Sequence, residues 1–151
     1  MSEHEAEHTG PDPARVGLHF LSVAHQVRQE VDRHMAAAGL SLARTKMLRL
    51  LAERGTLHQA ELADGLGQAP RSVTQALEAL ERLGLVTRTG DERDRRRKVV
   101  TLTGRGRAAL AAGERAGTER LRQLFGSLDG RRLVGLETLL TALDAAGTGT
   151  D

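Results

Sequence analysis

The most chemically distinctive stretch of the chain is a short run of positive charge near its middle. Arg93, Arg95, Arg96, Arg97 and Lys98 place five cationic side chains within six residues. The planar guanidinium group donates hydrogen bonds in a fixed fork that matches phosphate oxygens and the edge of guanine. The chemistry available here is therefore anion binding, with nucleic acid as the natural polyanion. A charge run alone is more often a solvated loop, so its place in the fold has to decide its role.

The overall composition adds little support for nucleic-acid binding by this run. The formal net charge is only +2, and of the 22 basic residues only Lys46 and Lys98 are lysines. A preference for arginine fits nucleic-acid binding, but a coding sequence rich in G and C produces the same preference. The placement of the arginines, rather than their number, is therefore the useful observation.

The arginine run lies in a polar turn between the two best strand candidates of the chain. These are residues 85–88 and 98–102, which are rich in valine, threonine and leucine. Two short helices, residues 59–66 and 70–83, precede the strands and are separated by a glycine-containing turn. Two such helices outline a helix-turn-helix, and a hairpin directly behind them is a wing. The predicted lobe spans residues 41–102.

The second of these short helices has the character of a recognition helix. Its apolar residues recur at helical spacing and are expected to face the core: Val73, Ala76, Leu77 and Leu80. This leaves a polar group on the outer side near the helix N-terminus, namely Arg71, Ser72, Thr74 and Gln75. In the major groove arginine can read guanine and glutamine can pair with adenine, while hydroxyl groups suit phosphates. An ordinary solvated helix face is the alternative, and the adjoining wing disfavours it.

Long amphipathic helices flank the lobe on both sides. An apolar stripe runs along residues 13–38, and residues 104–146 are helical, with leucines at three- and four-residue steps towards the end. Apolar helical surface in excess of what the lobe needs for its own core predicts a partner chain. The residues expected to form the dimer contact are Val16, Phe20, Val23, Leu133, Leu136, Leu140 and Leu143.

The predicted fold is mainly α with a small β-wing: a winged helix-turn-helix whose N- and C-terminal helices form a dimerisation region. Residues 1–12 are expected to be a disordered tail and residues 147–151 a frayed end. Side chains able to cap a helix N-terminus predict where four of the helices begin. These are Asp12, Ser41, Thr103 and Asp129.

Taken together, these segments resemble the MarR family of bacterial transcriptional regulators, over residues 13–146. One segment is HQAELADGLGQAPRSVTQALEALERLGLVTR, residues 58–88, which is similar to the helix-turn-helix and first wing strand of the family. Another is DERDRRRKVVTLTGRG, residues 91–106, which is similar to the family's wing signature. The leucine-rich last helix is the third. Their order and spacing make the resemblance specific.

The resemblance implies a homodimer that binds a pseudopalindromic operator in double-stranded DNA and acts as a transcriptional regulator, usually a repressor. It implies that the recognition helix lies in the major groove and that Arg93, Arg95, Arg96 and Arg97 of the wing reach the minor groove. It also implies that Asp94 pairs with Arg96 and orients it. A small-molecule effector, bound between the dimer helices and the lobe, would release the DNA.

Two positions depart from the family pattern. His58 and Ala69 stand where the family usually has serine or threonine as a helix cap. The missing caps are expected to cost each helix about 1 kcal/mol. Next to the arginines, Asp91 and Glu92 are expected to moderate the repulsion between them.

Several other functions lack the residues that they need. The chain has no cysteine, which excludes disulfides, thiolate metal sites and thiol-based sensing. Its histidines show no metal-ligand spacing, so no metal or cofactor is expected, and the roles of His19, His25 and His34 stay open. No apolar run is long enough to span a membrane and the polar start is unlike a signal peptide, so the cytoplasm is the expected location.

Two alternatives come from other functional classes. Gly104-x-Gly106-x-x-Ala109 follows a strand and opens a helix, as a dinucleotide-binding fingerprint does, but no second strand candidate follows it. A nucleotide-binding enzyme is therefore disfavoured, and no catalytic residue is assigned. The other alternative is an architectural DNA-binding protein without an effector, which would show little sequence preference.

Overall fold

The structure, a computed structural model, describes residues 10–148. Within this range the elements in chain order are α1 (Pro13–Ala37), α2 (Leu42–Arg54), β1 (Leu57–His58), α3 (Gln59–Leu66), α4 (Pro70–Arg82), β2 (Val86–Gly90), β3 (Lys98–Leu102), α5 (Gly104–Phe125) and α6 (Gly130–Thr148). The predicted class, mainly α with a small β-wing, is confirmed. Most of the predicted disordered tail, residues 1–9, and the last three residues lie outside the described range.

Four predicted helix starts are confirmed by capping hydrogen bonds. In each, a side-chain oxygen accepts from a backbone amide in the first turn, at 2.9–3.3 Å, which satisfies one of the amides that a helix N-terminus leaves unpaired. The acceptors are Asp12, Ser41, Thr103 and Asp129. The last helix differs from the prediction at its other end, because α6 continues to Thr148 instead of fraying from residue 147.

The three strands form one antiparallel sheet in the order β1-β3-β2. The central strand β3 has the predicted limits, whereas β2 begins one residue later than expected and extends to Gly90. The backbone amide of Leu85 donates to the carbonyl of Leu80 at 3.0 Å, so this residue completes the end of α4 rather than starting the strand. At the tip, Asp91 N donates to Arg97 O at 2.9 Å and closes the wing loop.

The core of the lobe is built from leucine, valine and methionine side chains. Its members all lie between residues 40 and 110, and all but Leu40 and Leu85 come from α2, α3, α4, the sheet and the start of α5. Val73, Leu77 and Leu80 have no exposed surface, which fixes the rotation of α4 and turns its polar side outward. The lobe therefore buries its own core without help from the first half of α1 or from α6.

Helix α5 leaves the sheet through a close backbone contact. A Cβ added to Gly106 would lie 2.1 Å from the carbonyl oxygen of Leu85 and 2.6 Å from Cδ1 of Leu102. No real Cβ contact is this short, so the glycine is required by packing. The glycine pattern that resembles a nucleotide-binding fingerprint thus serves the junction between the sheet and α5, and the sheet is antiparallel rather than the parallel unit that the fingerprint needs.

The residues predicted for the dimer contact lie on exposed apolar surface in the single chain. Val16, Phe20 and Val23 on α1 are 43–50% exposed, and Leu143 on α6 is 59% exposed. Leu133 and Leu140 are also exposed, and Leu136 is half-buried. Helix α6 makes few contacts with the other elements.

Candidate nucleic-acid interface

The recognition helix presents three of its four predicted contact residues to solvent. Arg71, Ser72 and Gln75 are exposed on the first turns of α4. Thr74 is different because it is half-buried, and its hydroxyl donates to the carbonyl of Pro70 at 3.0 Å. The same hydroxyl accepts from Nε2 of Gln59 at 2.5 Å. Thr74 therefore joins α3 to α4, and the outward polar surface of the helix is left to the other three.

The wing carries four of its arginines on the loop between β2 and β3. Arg93, Arg95, Arg96 and Arg97 are all exposed, and none of their guanidinium groups has an ion-pair partner within residues 10–148. Asp94 Oδ1 accepts from the backbone amide of Arg96 at 3.1 Å, and Arg97 N donates to Asp94 O at 2.9 Å. Asp94 thus contacts the main chain of Arg96 rather than its guanidinium group, and any orienting effect acts through the backbone turn.

A cleft brings the wing and the two short helices together. Its volume is about 240 Å³, and it is lined by His58, Gln59, Ala60, Pro70, Arg96, Arg97 and Lys98. Three cationic side chains therefore lie beside the first residues of α3 and α4. Helix N-termini and arginine side chains both favour anions, so this lining favours an anionic group over a neutral or cationic one.

The wing is also tied to the recognition helix on the side of strand β2. Arg88 donates through its backbone amide to Glu81 Oε2 at 3.1 Å and through its guanidinium group to Glu81 Oε1 at 3.2 Å. The hydrogen bond from the Arg88 side chain is the main cause that lowers the pKa of Glu81. This pair couples the end of α4 to the root of the wing.

The sequence analysis missed a contact between α3 and the wing that depends on His58. Its Nε2 atom lies 2.8 Å from Asp91 Oδ2, and its Nδ1 atom lies 2.5 Å from Glu61 Oε1. The hydrogen bond with Asp91, followed by the one with Glu61, raises the pKa of His58. Hydrogen bonds from His58 are also the largest cause that lowers the pKa of each carboxylate.

As expected, the side chain of His58 does not cap α3, but Glu61 provides a different contact at this helix start. Glu61 Oε1 accepts from the backbone amide of His58 at 3.1 Å, which is the reciprocal half of a capping box. Ala69, in contrast, makes no side-chain cap for α4, as expected, and Pro70 occupies the first helical position. The side chain of Asp91 forms its hydrogen bonds with the ring of His58 and with the backbone amide of Arg93. No arginine side chain forms an ion pair with it among the described residues.

A helix-turn-helix with an exposed polar N-terminus on its second helix, followed by a cationic hairpin, defines a winged-helix DNA-binding protein. A model of the MarR family matches residues 40–98 of this chain. The HTH-type transcriptional repressor Rv2887 of Mycobacterium tuberculosis is 33% identical over 103 residues, which cover 68% of this chain and 74% of that protein. The chain therefore belongs to the MarR family of transcriptional regulators.

Another relative agrees with this assignment, and two solved structures share the fold. The transcriptional regulator HosA of Escherichia coli is 29% identical over 111 residues, which cover 70% of this chain and 82% of that protein. The YusO protein of Bacillus subtilis matches with a TM-score of 0.75 and 21% identity, over 88% of this chain and 94% of that chain. A mutant of Staphylococcus aureus MepR bound to an oligodeoxyribonucleotide has a TM-score of 0.65 and 23% identity, over 87% and 96%. These structures show the same fold.

The described residues contain no sign of two other kinds of site. Nowhere in residues 10–148 do three or more His, Asp or Glu side chains gather in a way that could hold a metal ion. None of the helices described is both long and apolar enough to cross a membrane.

Proposed function

We propose that this protein is a homodimeric transcriptional regulator that binds a specific DNA sequence, a pseudopalindromic operator. We further propose that it acts in the cytoplasm and represses transcription. The observation that carries the proposal is the placement of exposed Arg71, Ser72 and Gln75 beside a wing loop, residues 91–97, whose four arginines have no ion-pair partner among the described residues. The names of the relatives, which are transcriptional repressors and regulators, support it.

The two parts of this surface would have different tasks on DNA. Arg71 would donate to guanine and Gln75 would pair with adenine in the major groove, while Ser72 and the cationic cleft would hold backbone phosphates. The wing arginines would enter the adjacent minor groove, where a narrow A·T-rich segment strengthens the negative potential. Recognition of sequence would then rest on α4, and much of the salt-dependent affinity on the wing.

Protection mapping across the DNA around the protein's own gene, followed by binding measurements, tests this function. The protected duplex and a random duplex of equal length would be compared at one fixed salt concentration, since affinities are comparable only at equal salt. We expect a protected palindrome and much tighter binding to it, and we expect Gln75→Ala to cost about 1–3 kcal/mol at particular base pairs. Equal affinity for both duplexes would instead favour an architectural DNA-binding protein.

Replacing Arg96 with alanine is expected to weaken binding to every duplex and to reduce the slope of log K against log salt by about one. Arg96 lines the cleft, and its backbone amide donates to the side chain of Asp94 at 3.1 Å. The measurement is a salt titration of duplex affinity, with Arg115→Ala, an exposed arginine of α5, as the matched control. An unchanged slope in Arg96→Ala would contradict the assignment of the wing.

The proposed dimer would form through the exposed apolar surfaces of α1 and α6. Two copies related by a twofold axis would present their recognition helices to successive major grooves, so that the half-sites lie about one helical turn apart or a multiple of it. The exposure of the predicted leucines and of Phe20 supports this pairing, because a single chain leaves a large apolar patch in water.

An effector would bind the cavity between these helices, part of whose lining also belongs to the proposed dimer surface: Phe20, Val23, Leu136 and Leu140. The cavity has a volume of about 390 Å³ and is lined almost entirely by apolar residues of α1, α5 and α6, with Leu42 at the start of α2. The one charged lining residue is Arg28, which makes no ion pair within the described residues. We infer a small, mainly aliphatic effector with a single anionic group. Displacement of bound duplex by medium-chain carboxylic acids, but not by the matching alcohols, tests this inference; equal behaviour of acid and alcohol would refute it.

A further inference from the structure

The imidazole of His58 lies between two carboxylates that belong to different parts of the lobe. Glu61 is in the first turn of α3, and Asp91 is the first residue of the wing loop after β2. Each ring nitrogen is within hydrogen-bond distance of one of them, at 2.5 Å and 2.8 Å. A neutral imidazole has a single N–H and can donate to only one carboxylate, whereas the protonated ring donates to both. Both hydrogen bonds can therefore form at the same time only when the ring of His58 is protonated.

Asp91 transmits this contact to the wing loop. Its Oδ2 atom faces His58, while Oδ1 accepts from the backbone amide of Arg93 at 2.9 Å. Its own backbone amide donates to the carbonyl of Arg97 at 2.9 Å. A carboxylate with both oxygens engaged holds the loop in one conformation, and the arginines on either side of the tip are fixed relative to α3.

We propose that His58 is a positioning residue for DNA binding: in its protonated form it holds the wing loop against the N-terminus of α3, so that DNA affinity increases as the pH falls and the ring takes up its second proton. This proposal rests on the DNA-binding function proposed above. His58 is not required to touch DNA, since it acts through Asp91 on the cationic side chains of the wing.

The charges around His58 favour its protonated form on balance. Asp91 from the wing and Glu61 from α3 raise its pKa, while partial burial and the positive charge of Arg97 lower it. Arg96 and Lys98 line the cleft beside it, and Glu92 and Arg93 line a groove on its other side. A phosphate entering the cleft would add negative charge and favour the imidazolium further, so DNA binding and proton uptake would promote each other.

The sign of the pH dependence follows from these directions. Because the pKa of His58 is raised, its contribution is complete below the ordinary imidazole range near 6.5 and is lost as the pH rises through the raised value. Because the pKa of Asp91 is lowered, its contribution persists until the pH falls below the usual carboxylate range near 3.8. The contact is therefore intact in mildly acidic solution and weakens as the pH rises through the raised pKa of His58.

The test uses the full chain and a mixed-sequence duplex at one fixed ionic strength, at about pH 6 and about pH 8.5, on either side of the imidazole range. We expect wild-type affinity to fall by about fivefold between the two conditions, at the low end of measured coupling between sites. His58→Gln, which keeps a hydrogen-bonding side chain but cannot become charged, should lose most of this fall, as should Asp91→Asn. His25→Gln removes an exposed histidine of α1 and should retain the wild-type fall.

A second measurement separates this proposal from the proposed function. The imidazole of His58 can be titrated by NMR in the DNA-free protein, where its pKa should lie above the ordinary value and decrease in Asp91→Asn. A pKa at or below the ordinary value, or a His58→Gln protein with the wild-type pH dependence, overturns the proposal. Absence of duplex binding at every pH would overturn the proposed function, and the NMR titration would still decide whether the contact exists. If His58→Gln fails to fold, Asp91→Asn provides the same comparison.

Discussion

Gly106→Ala is expected to lower the free energy of unfolding by about 3 kcal/mol, the upper end of what overpacking usually costs. Alanine in place of glycine inside a helix normally stabilises a protein. Here the new Cβ would lie 2.1 Å from the carbonyl oxygen of Leu85, just before β2, and a backbone atom cannot rotate away as a side chain can. The start of α5 would have to move away from the sheet, which would also disturb Leu102 in the core. Chemical denaturation of the purified protein measures the change.

Gly104→Ala is the matched control, in the same turn of the same helix. A Cβ at Gly104 would meet no atom within 4 Å, so this substitution should leave stability unchanged or raise it by up to about 1 kcal/mol. A Gly106→Ala protein as stable as the control would mean that the contact between α5 and the sheet is looser than the structure shows.

Leu143→Asp is expected to separate the two subunits and to reduce operator affinity by at least about 100-fold, since joining two binding units gains this much or more. Leu143 is 59% exposed in the single chain, so a carboxylate there would be tolerated by the protomer. In the proposed dimer the same carboxylate would be buried among apolar side chains, where an unpaired charge is costly. Sedimentation analysis together with operator binding measures both effects.

An exposed leucine outside the proposed interface provides the comparison for this experiment. Leu83, at the end of α4, is 48% exposed, so Leu83→Asp makes a similar change in surface chemistry on the lobe. It should leave the subunits associated. If Leu143→Asp also remained a dimer with unchanged operator affinity, the surface of α6 would not be the pairing surface.

The features predicted correctly from the sequence are those that depend on neighbouring residues. Ser41 and Thr103 cap helices because they stand just before an apolar helical pattern, and the limits of β3 follow from a run of β-branched residues. The orientation of α4 also follows from its local sequence, because the apolar side chains of Val73 and Leu77 must face the core. The resemblance to the MarR family predicted how these helices and strands combine into a winged helix-turn-helix.

The features that were missed depend on how distant segments are placed in space. His58 and Asp91 are 33 residues apart, and Gln59 and Thr74 are 15 apart, so no spacing rule relates them. Asp94 was expected to pair with a guanidinium group, but the tight turn brings the backbone amide of Arg96 closer to its carboxylate. Short polar side chains in turns often bind the main chain in this way.

The confinement of the core to residues between 40 and 110 has a consequence for how the protein responds to its own abundance. A lobe that closes around its own buried residues can fold within one subunit, and association of two such subunits is then a separate, second-order step. The surface that would read DNA is therefore complete before any pairing takes place. At subunit levels below the dimer dissociation constant, the amount of proposed dimer rises with the square of the subunit concentration. Occupancy of an operator would then change more steeply with protein level than it would for a regulator that binds as a single chain.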